Sequence, residues 1–270
     1  MVFSDNHMHT CFSGDSKANP TDMIGAAKSL GLSGLTFTDH LDLDYPEEPN
    51  IFLLDIDTYL RELGTIATVN SADDFKVRVG IELGLQPHLC NELTNVVAKY
   101  DFDVVIGSTH VVKKQDPYYD NFWEGRSFEE ATRGYYEEIL KNITGFDKFD
   151  TLAHLDYAFR YRNPVPGMDT YSKYWDIIDA ILEYIIKKDI ALEINTGGCY
   201  KELNQTNPAP AIIKRYVSLG GKMVTVGADA HKSEYVGSHF NELTALIEHC
   251  GLKEFTYFEK RKPIMRSIYD

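Results

Sequence analysis

The sequence predicts an α/β fold built on a parallel sheet, and three observations predict it. Short β-rich runs alternate along the chain with amphipathic helical patterns, the signature of repeated βα units. The 270 residues, 43% of them hydrophobic, suffice for one large core, and α/β barrels run to this length as one domain. Most of the histidines, with several carboxylates, fall at the C-terminal ends of the predicted strands, the face where a parallel barrel gathers its chemistry. With no repeat or low-complexity tract to divide the chain, a single domain over 1–270 is expected.

The first strand is predicted over Val2–His7 and runs into "DNHMHTCFSGD". In an extended stretch His7 and His9 face the same way while Met8 faces the core. The first helix lies in "ANPTDMIGAAKSLG": Asn19 caps it, Pro20 occupies its first position, Met23, Ile24, Ala27 and Leu30 form its apolar face, and Gly31 stops it. Strand two, Gly34–Thr38, delivers Asp39 and His40 and is followed by a helix over Ile56–Ala67. Strand three, Lys76–Glu82, ends on Glu82 and precedes a helix over Pro87–Ala98. Strand four, Asp103–Ser108, leads to His110, with a helix over Phe128–Asn142. Strand five, Thr151–His154, ends on His154, with a helix over Thr170–Lys188. Strand six, Ile190–Asn195, ends on Asn195, with a helix over Pro208–Leu219. Strand seven, Lys222–Gly227, leads to Asp229 and His231, and a last helix is expected over Ser233–His249. The longer connections, Asp42–Asp55 and Val111–Arg126, are acidic or aromatic and of a length that suits lids.

Charge narrows the function. With 41 acidic against 27 basic residues, a net charge of −14 and its basic residues scattered, the chain is expected to bind neither nucleic acid nor an anionic membrane. The longest basic run is "KRKP" at Lys260. No segment approaches the ~20 apolar residues of a membrane span, and a cytoplasmic location is expected. Cys11, Cys90, Cys199 and Cys250 stand far apart without a C-x-x-C, so reduced thiols are expected, Cys11 as small buried filler.

Six imidazoles and several carboxylates in one barrel mouth would repel or desolvate at several kcal/mol apiece without a cation. Their number exceeds what one tetrahedral ion uses, and mixed nitrogen and oxygen ligation without thiolate suits Zn, Mn or Fe. Two or three ions are expected. The motifs "HMHT" with Asp15, "TDH", "GIELG", "STH", "AHLD" and "GADAH", in this order, resemble the polymerase-and-histidinol-phosphatase superfamily over nearly the whole chain. Within it, "GIELGLQPH" and "STHVVKKQDPYY…FWEG" resemble the stand-alone histidinol-phosphate phosphatases.

The resemblance implies a distorted (βα)7 barrel, TIM-barrel-like, holding three divalent ions at the strand ends. Carried over by residue, one ion takes His7, His9, Glu82 and Asp229; a second shares Glu82 and adds His110 and His154; a third takes Asp15, His40 and His231. It also implies a metal-dependent phosphomonoesterase acting on L-histidinol phosphate, the alternative being a nucleotide or another small phosphate ester. Arg160, six residues after His154, is then the fork-shaped donor for the phosphoryl group. Asp229, His231 or the third ion assists the leaving alkoxide. An arginine often follows the strand-six asparagine in the family; here "NTGGCYKEL" offers Lys201 in its place, and Asn195 and Lys201 join Arg160 as expected substrate contacts. Asp39 and Asp156 are expected to orient the neighbouring His40 and His154. Glu193 either points into the barrel or is a paired core acid. His88, His239 and His249 are expected to be structural or surface residues. An acidic and tyrosine-rich rim of Asp42, Asp44, Asp116, Tyr118, Tyr119 and Asp120 would favour a small cationic group on the substrate; the aromatic stretch around Trp123 is expected mainly to pack over the rim.

Overall fold

In the computed structural model, residues 3–162, 171–201 and 203–270 are described. The first half alternates β1 (Ser4–Asp5), α1 (Pro20–Ser29), β2 (Gly34–Phe37), β3 (His40–Leu41), α2 (Ile56–Asn70), β4 (Lys76–Val79), β5 (Ile81–Gly84), α3 (Cys90–Lys99), β6 (Val105–Ser108) and α4 (Phe128–Gly145). The second half continues with β7 (Thr151–Leu152), α5 (Trp175–Lys187), β8 (Ala191–Asn195), α6 (Gly197–Tyr200), α7 (Pro210–Ser218), β9 (Val224–Gly227) and α8 (Phe240–His249). It ends in β10 (Glu254–Glu259) and β11 (Lys262–Ser267).

Two parallel sheets, β1-β2-β4 and β3-β5-β6-β7-β8-β9, carry the nine parallel segments. Predicted strand two, Gly34–Thr38, is β2 and its stave resumes beyond Thr38–Asp39 as β3, while predicted strand three is interrupted at Gly80 to give β4 and β5. Seven staves therefore stand in the order the sequence predicts. The last meets the first through Asn6 N–H to the Val226 carbonyl (3.0 Å), Asp229 N–H to the His7 carbonyl (2.8 Å) and His9 N–H to the Ala230 carbonyl (2.9 Å), which closes the distorted barrel. That seam needs Gly227, since a Cβ there would lie 2.4 Å from the His7 Cβ.

The helices follow their predicted signals with local corrections. Asn19 caps α1 by accepting from Thr21 N–H, and Ser127 with Glu130 forms a capping box at the start of α4, which extends to Gly145. The expected Pro87–Ala98 helix opens as a 3-10 turn over Pro87–Leu89 before α3. Thr170, where the fifth helix was expected to begin, and Val2, the expected start of strand one, lie outside the described residues. The expected Ser233–His249 helix is broken: Gly237 (φ +62°) and His239 (φ +60°) take left-handed conformations between a 3-10 turn and α8. The break follows from a tertiary bond, Gly237 N–H donating to the Asp5 carboxylate at 2.9 Å.

The C-terminal antiparallel hairpin β10–β11 has no counterpart in the sequence prediction. Its turn, Lys260–Arg261, holds two left-handed residues without the Gly or Asn that usually signals one. The anchor is again tertiary: Lys260 and Arg261 N–H donate to Asp103, and the Arg261 guanidinium grips Asp150 at 3.0 Å. Phe258 packs on Val104 and Ala191, and Phe255 on Phe3, so the hairpin stoppers the barrel end opposite the polar cluster. No helix among the described residues is long and apolar enough to cross a membrane.

Candidate active site

Glu82, the last buried acid of its stave, sits at the centre of the mouth. Its Oε1 lies 2.6 Å from Ser108 Oγ, 3.0 Å from His154 Nε2, and 3.4 Å from both His7 Nε2 and His110 Nε2. Its Oε2 lies 2.9 Å from His40 Nδ1 and 3.5 Å from His9 Nε2. Asp229 Oδ1 stands 3.4 Å from His9 Nε2 and 3.9 Å from His7 Nε2. At the more open lip, Asp15 approaches His231 Nε2 at 3.0 Å and His40 Nε2 at 3.8 Å. All nine predicted metal-ligand residues thus converge, although they come from strand ends up to 224 positions apart, His7 to His231.

Donor atoms within 4.8 Å of one another group as His7, His9 and Glu82; as Glu82, His110 and His154; and as His9, His40 and His231, with a further set of His40, Asp42 and His110. Hydrogen bonding behind the ring decides what these atoms offer. His7 Nδ1 is engaged by Glu193 at 2.5 Å. His9 Nδ1 meets Ser13 Oγ at 3.2 Å, and that hydroxyl donates its proton to Asp39 at 2.7 Å, so His9 Nδ1 is the donor. In their neutral forms His7 and His9 each direct an Nε2 lone pair into the mouth, where the two atoms are 3.1 Å apart beside carboxylate oxygens. Glu82 Oε2 and His40 Nδ1 face each other at 2.9 Å without hydrogen-bond geometry, and neither has another hydrogen-bond partner among the described residues. A pocket of facing acceptors fits a cation, and this set fits nitrogen- and oxygen-loving divalent ions.

Without ions the same crowding splits the pKa values. Burial opposes charge on Glu82, but His7, His40 and His110 outweigh it and hold the carboxyl well below its usual range. Burial likewise opposes charge on His7 and His110, yet neighbouring carboxylates raise both well above the ordinary imidazole value. Burial is again opposed at His40, which Glu82 and Asp15 push up to about 9. Burial prevails at His154, lowered to about 4, and at His9, which also faces His40 and His231.

Beside the cluster, the Arg160 guanidinium is fixed from three sides. Nη1 donates to Asp229 Oδ2 at 2.6 Å, Nη2 to Asn195 Oδ1 at 2.8 Å, and Nε to Asn207 Oδ1 at 2.7 Å. With five N–H groups on the fork, one on each Nη remains for a ligand. Lys201 also lines the cavity, its Nζ 3.9 Å from Asp229 Oδ2.

A family model for the PHP domain matches residues 5–197. The chain belongs to the PHP domain family. A protein of Clostridium acetobutylicum described as a probable histidinol-phosphatase is 36% identical over 261 residues, covering 97% of this chain and 98% of its own length. The histidinol phosphate phosphatase of Lactococcus lactis, whose crystal structure contains Zn, L-histidinol and phosphate, superposes with a TM-score of 0.89 at 27% identity, covering 97% of this chain and 98% of that one. A Listeria monocytogenes protein, at 20% identity and TM-score 0.73 over 88% of this chain and 98% of its own, shares the fold.

The layer behind this PHP site departs from the sequence reading in informative ways. Asn195, expected at the substrate, is fully buried, and its amide serves Arg160, Gly197 N–H and Glu193, so it positions the arginine from behind. Asp39 braces Thr10 and Ser13, and through Ser13 orients His9 rather than His40. Asp156 accepts from Asn207, Tyr171 and Ala209 N–H; its influence passes through Asn207 to Arg160, not to His154. Of Glu193's two readings, the structure selects the inward one, bonded to His7. Asp42, expected at the rim, is buried and accepts from His110 Nδ1 at 2.6 Å, with Gly84 leaving room for its carboxyl group. Asn207 carried no motif signal at all. Cys11 is exposed, not buried filler. His88, His239 and His249 lie away from the mouth, paired with Asp44, Glu242 and Lys214.

Proposed function

We propose that this chain is a metal-dependent phosphomonoesterase that hydrolyses L-histidinol phosphate to L-histidinol and phosphate. One observation carries the reading: acceptors from His7, His9, Glu82, His110, His154, Asp229 and their neighbours face one another around a single carboxylate, and a pinned guanidinium stands beside them. The full-length similarity to histidinol-phosphatases, one of them solved with Zn, L-histidinol and phosphate, supplies the substrate.

The cluster would hold three divalent ions, Zn, Mn or Fe, at His7, His9, Glu82 and Asp229; at Glu82, His110 and His154; and at Asp15, His40 and His231. Bound there, such ions acidify water near neutral pH and neutralise charge on the phosphoryl oxygens. The remaining work falls to the chain. Arg160 orients the phosphoryl group through its two uncommitted N–H groups, Lys201 adds a second positive charge, and Asn195 with Asn207 keeps the guanidinium from turning. Asp229 and His231 are the groups placed to move the proton that the leaving alkoxide requires. The reading includes one barrel over the whole chain, a small phosphate ester as ligand, no nucleic-acid partner, and residence in the cytoplasm.

Gently purified protein is expected to hold between two and three transition-metal ions per chain by plasma mass spectrometry; one ion or none would contradict the partition. In a panel of phosphate esters at saturating metal, kcat/KM for L-histidinol phosphate is expected to exceed that for mononucleotides and sugar phosphates by at least roughly 100-fold, ~2.7 kcal/mol of differential transition-state binding. A nucleotide or sugar phosphate in the lead would replace the substrate and leave the phosphoesterase chemistry standing.

A further inference from the structure

Glu193, in β8, is 1% exposed and takes no part in the reaction proposed for the cluster. Three donors nevertheless converge on its carboxylate. Oε1 meets His7 Nδ1 at 2.5 Å, and Oε2 accepts from the His154 backbone N–H and from Asn195 Nδ2, each at 3.0 Å. Gly227 on the next stave leaves the room, since a Cβ there would lie 3.1 Å from Oε1. A carboxylate accepts at both oxygens and donates at neither, so each partner has to donate. For His7 with a metal on Nε2, this keeps the ring proton on Nδ1. For Asn195 it decides which way the amide faces: Nδ2 toward Glu193, and Oδ1 toward Arg160 Nη2 and Gly197 N–H, both at 2.8 Å. His154 is held differently. The Nδ1 atoms of His7, His110 and His231 meet Glu193, Asp42 and the Asp229 carbonyl, but His154 Nδ1 is buried with no hydrogen-bond partner among the described residues. Its backbone also takes a left-handed φ of +25°, uncommon for a residue with a side chain. The Glu193 bond to the His154 N–H restrains that backbone, and with it the direction from which Nε2 meets Glu82.

We propose that Glu193 is a positioning residue shared by the metal and phosphate sites: one carboxylate places the proton of His7, restrains the backbone of His154 and turns the Asn195 amide that aims Arg160. The proposal rests on the phosphomonoesterase reading above and deepens it. Because the three settings come from one group, they change together. The amide of Glu193→Gln has the same volume but only one acceptor oxygen, with an NH2 group in place of the other. If that oxygen stays with His154 and Asn195, the NH2 group faces His7 Nδ1, which then has to accept; the His7 proton moves to Nε2 and covers the lone pair a metal needs. If the oxygen faces His7 instead, the NH2 group confronts two donors, and the Asn195 amide escapes only by turning its own NH2 group toward the Arg160 fork. The first orientation satisfies two donors and the second one, so the first prevails and His7 is the ligand impaired. An acid that merely filled the barrel would lose little in this exchange of equal volumes.

The test compares wild type, Glu193→Gln, Asn195→Ala and the double variant, all purified and loaded with Zn alike. In chelator competition Glu193→Gln is expected to bind one of its Zn ions about 10- to 100-fold more weakly, the usual effect of removing the outer partner of a metal-binding histidine. At saturating Zn its kcat/KM for L-histidinol phosphate is expected to fall about tenfold. Asn195→Ala is expected to keep wild-type Zn affinity and to lose about tenfold in kcat/KM, but to cost less than about threefold when added to Glu193→Gln, because the amide has already lost its setting there. Unchanged Zn affinity in Glu193→Gln, or costs in kcat/KM that simply add in the double variant, overturns the proposal. A measurement on the wild type serves if Glu193→Gln does not fold: in the NMR spectrum of Zn-loaded enzyme carrying isotope-labelled histidine, His7 is expected to hold a hydrogen-bonded proton on Nδ1 and the metal on Nε2, and the reverse assignment overturns the proposal. A wild-type enzyme that hydrolyses no phosphate monoester overturns the phosphomonoesterase reading instead, a result visible before any variant is made.

Discussion

Glu82→Gln is expected to cost at least two of the bound metal ions together and to lower kcat by at least roughly 10³-fold, about 4 kcal/mol. The geometry makes Glu82 the shared member of two donor sets, with oxygens within 3.5 Å of His7, His9, His40, His110 and His154. An amide keeps the volume but loses the negative charge that offsets two dications, and its NH2 group points a donor at ligand nitrogens that must also bind metal. His40→Ala provides the contrast, because its imidazole faces Asp15 and His231 at the open lip and its removal should chiefly empty the third site. Metal content of the two variants, measured by plasma mass spectrometry after identical handling, separates the cases. Equal loss in both would show that the ions are not partitioned around Glu82.

The features of this fold that were legible in the sequence are those fixed by local chemistry. Pro20 after Asn19, Ser127 three residues before Glu130, and β-rich runs ending in histidines announce helix starts and strand ends through hydrogen bonds made within a few residues. The convergence of the candidate ligands was legible for the same reason, since all but Asp15 lie at or just after a strand end and a parallel barrel converts that position into proximity. What stayed hidden depends on contacts far apart in the chain. The Lys260–Arg261 turn exists because Asp103 and Asp150 hold it, and the gap before α8 exists because Asp5 takes the Gly237 N–H. The residues behind the site are the clearest instance. Asp39 and Asp156 were expected to serve the histidines beside them in sequence, whereas each hydrogen-bonds to residues distant in the chain, and Asn207 became visible only with Arg160 against it.

Arg160→Ala is expected to lower kcat/KM for L-histidinol phosphate by roughly 10²-fold or more, ~2.7 kcal/mol, with metal content unchanged. The second half of that statement needs defence, because Arg160 is bonded to Asp229, a proposed ligand. Burial opposes charge on Asp229, but Lys201, Arg160 and His7 together hold it well below the usual carboxylate range, and Lys201 and His7 remain in the variant. Bound dications add far more positive charge than the guanidinium takes away, so the holoenzyme keeps its ligand ionised. The metal-free protein has no such compensation. There, deletion leaves a buried carboxylate short of its closest partner, and a loss of about 3–5 kcal/mol is the usual scale for such a break. The melting temperature of the chelated variant should therefore fall much further below its wild-type counterpart than that of the loaded variant. Arg160→Lys refines the test: one ammonium cannot serve Asp229, Asn195 and Asn207 together and still present paired N–H groups to a phosphoryl oxygen. It should restore most of the chelated protein's stability and little of kcat/KM. Recovery of catalysis by lysine would make Arg160 a charge for Asp229 alone, and unchanged kinetics in both variants would remove it from the phosphate site.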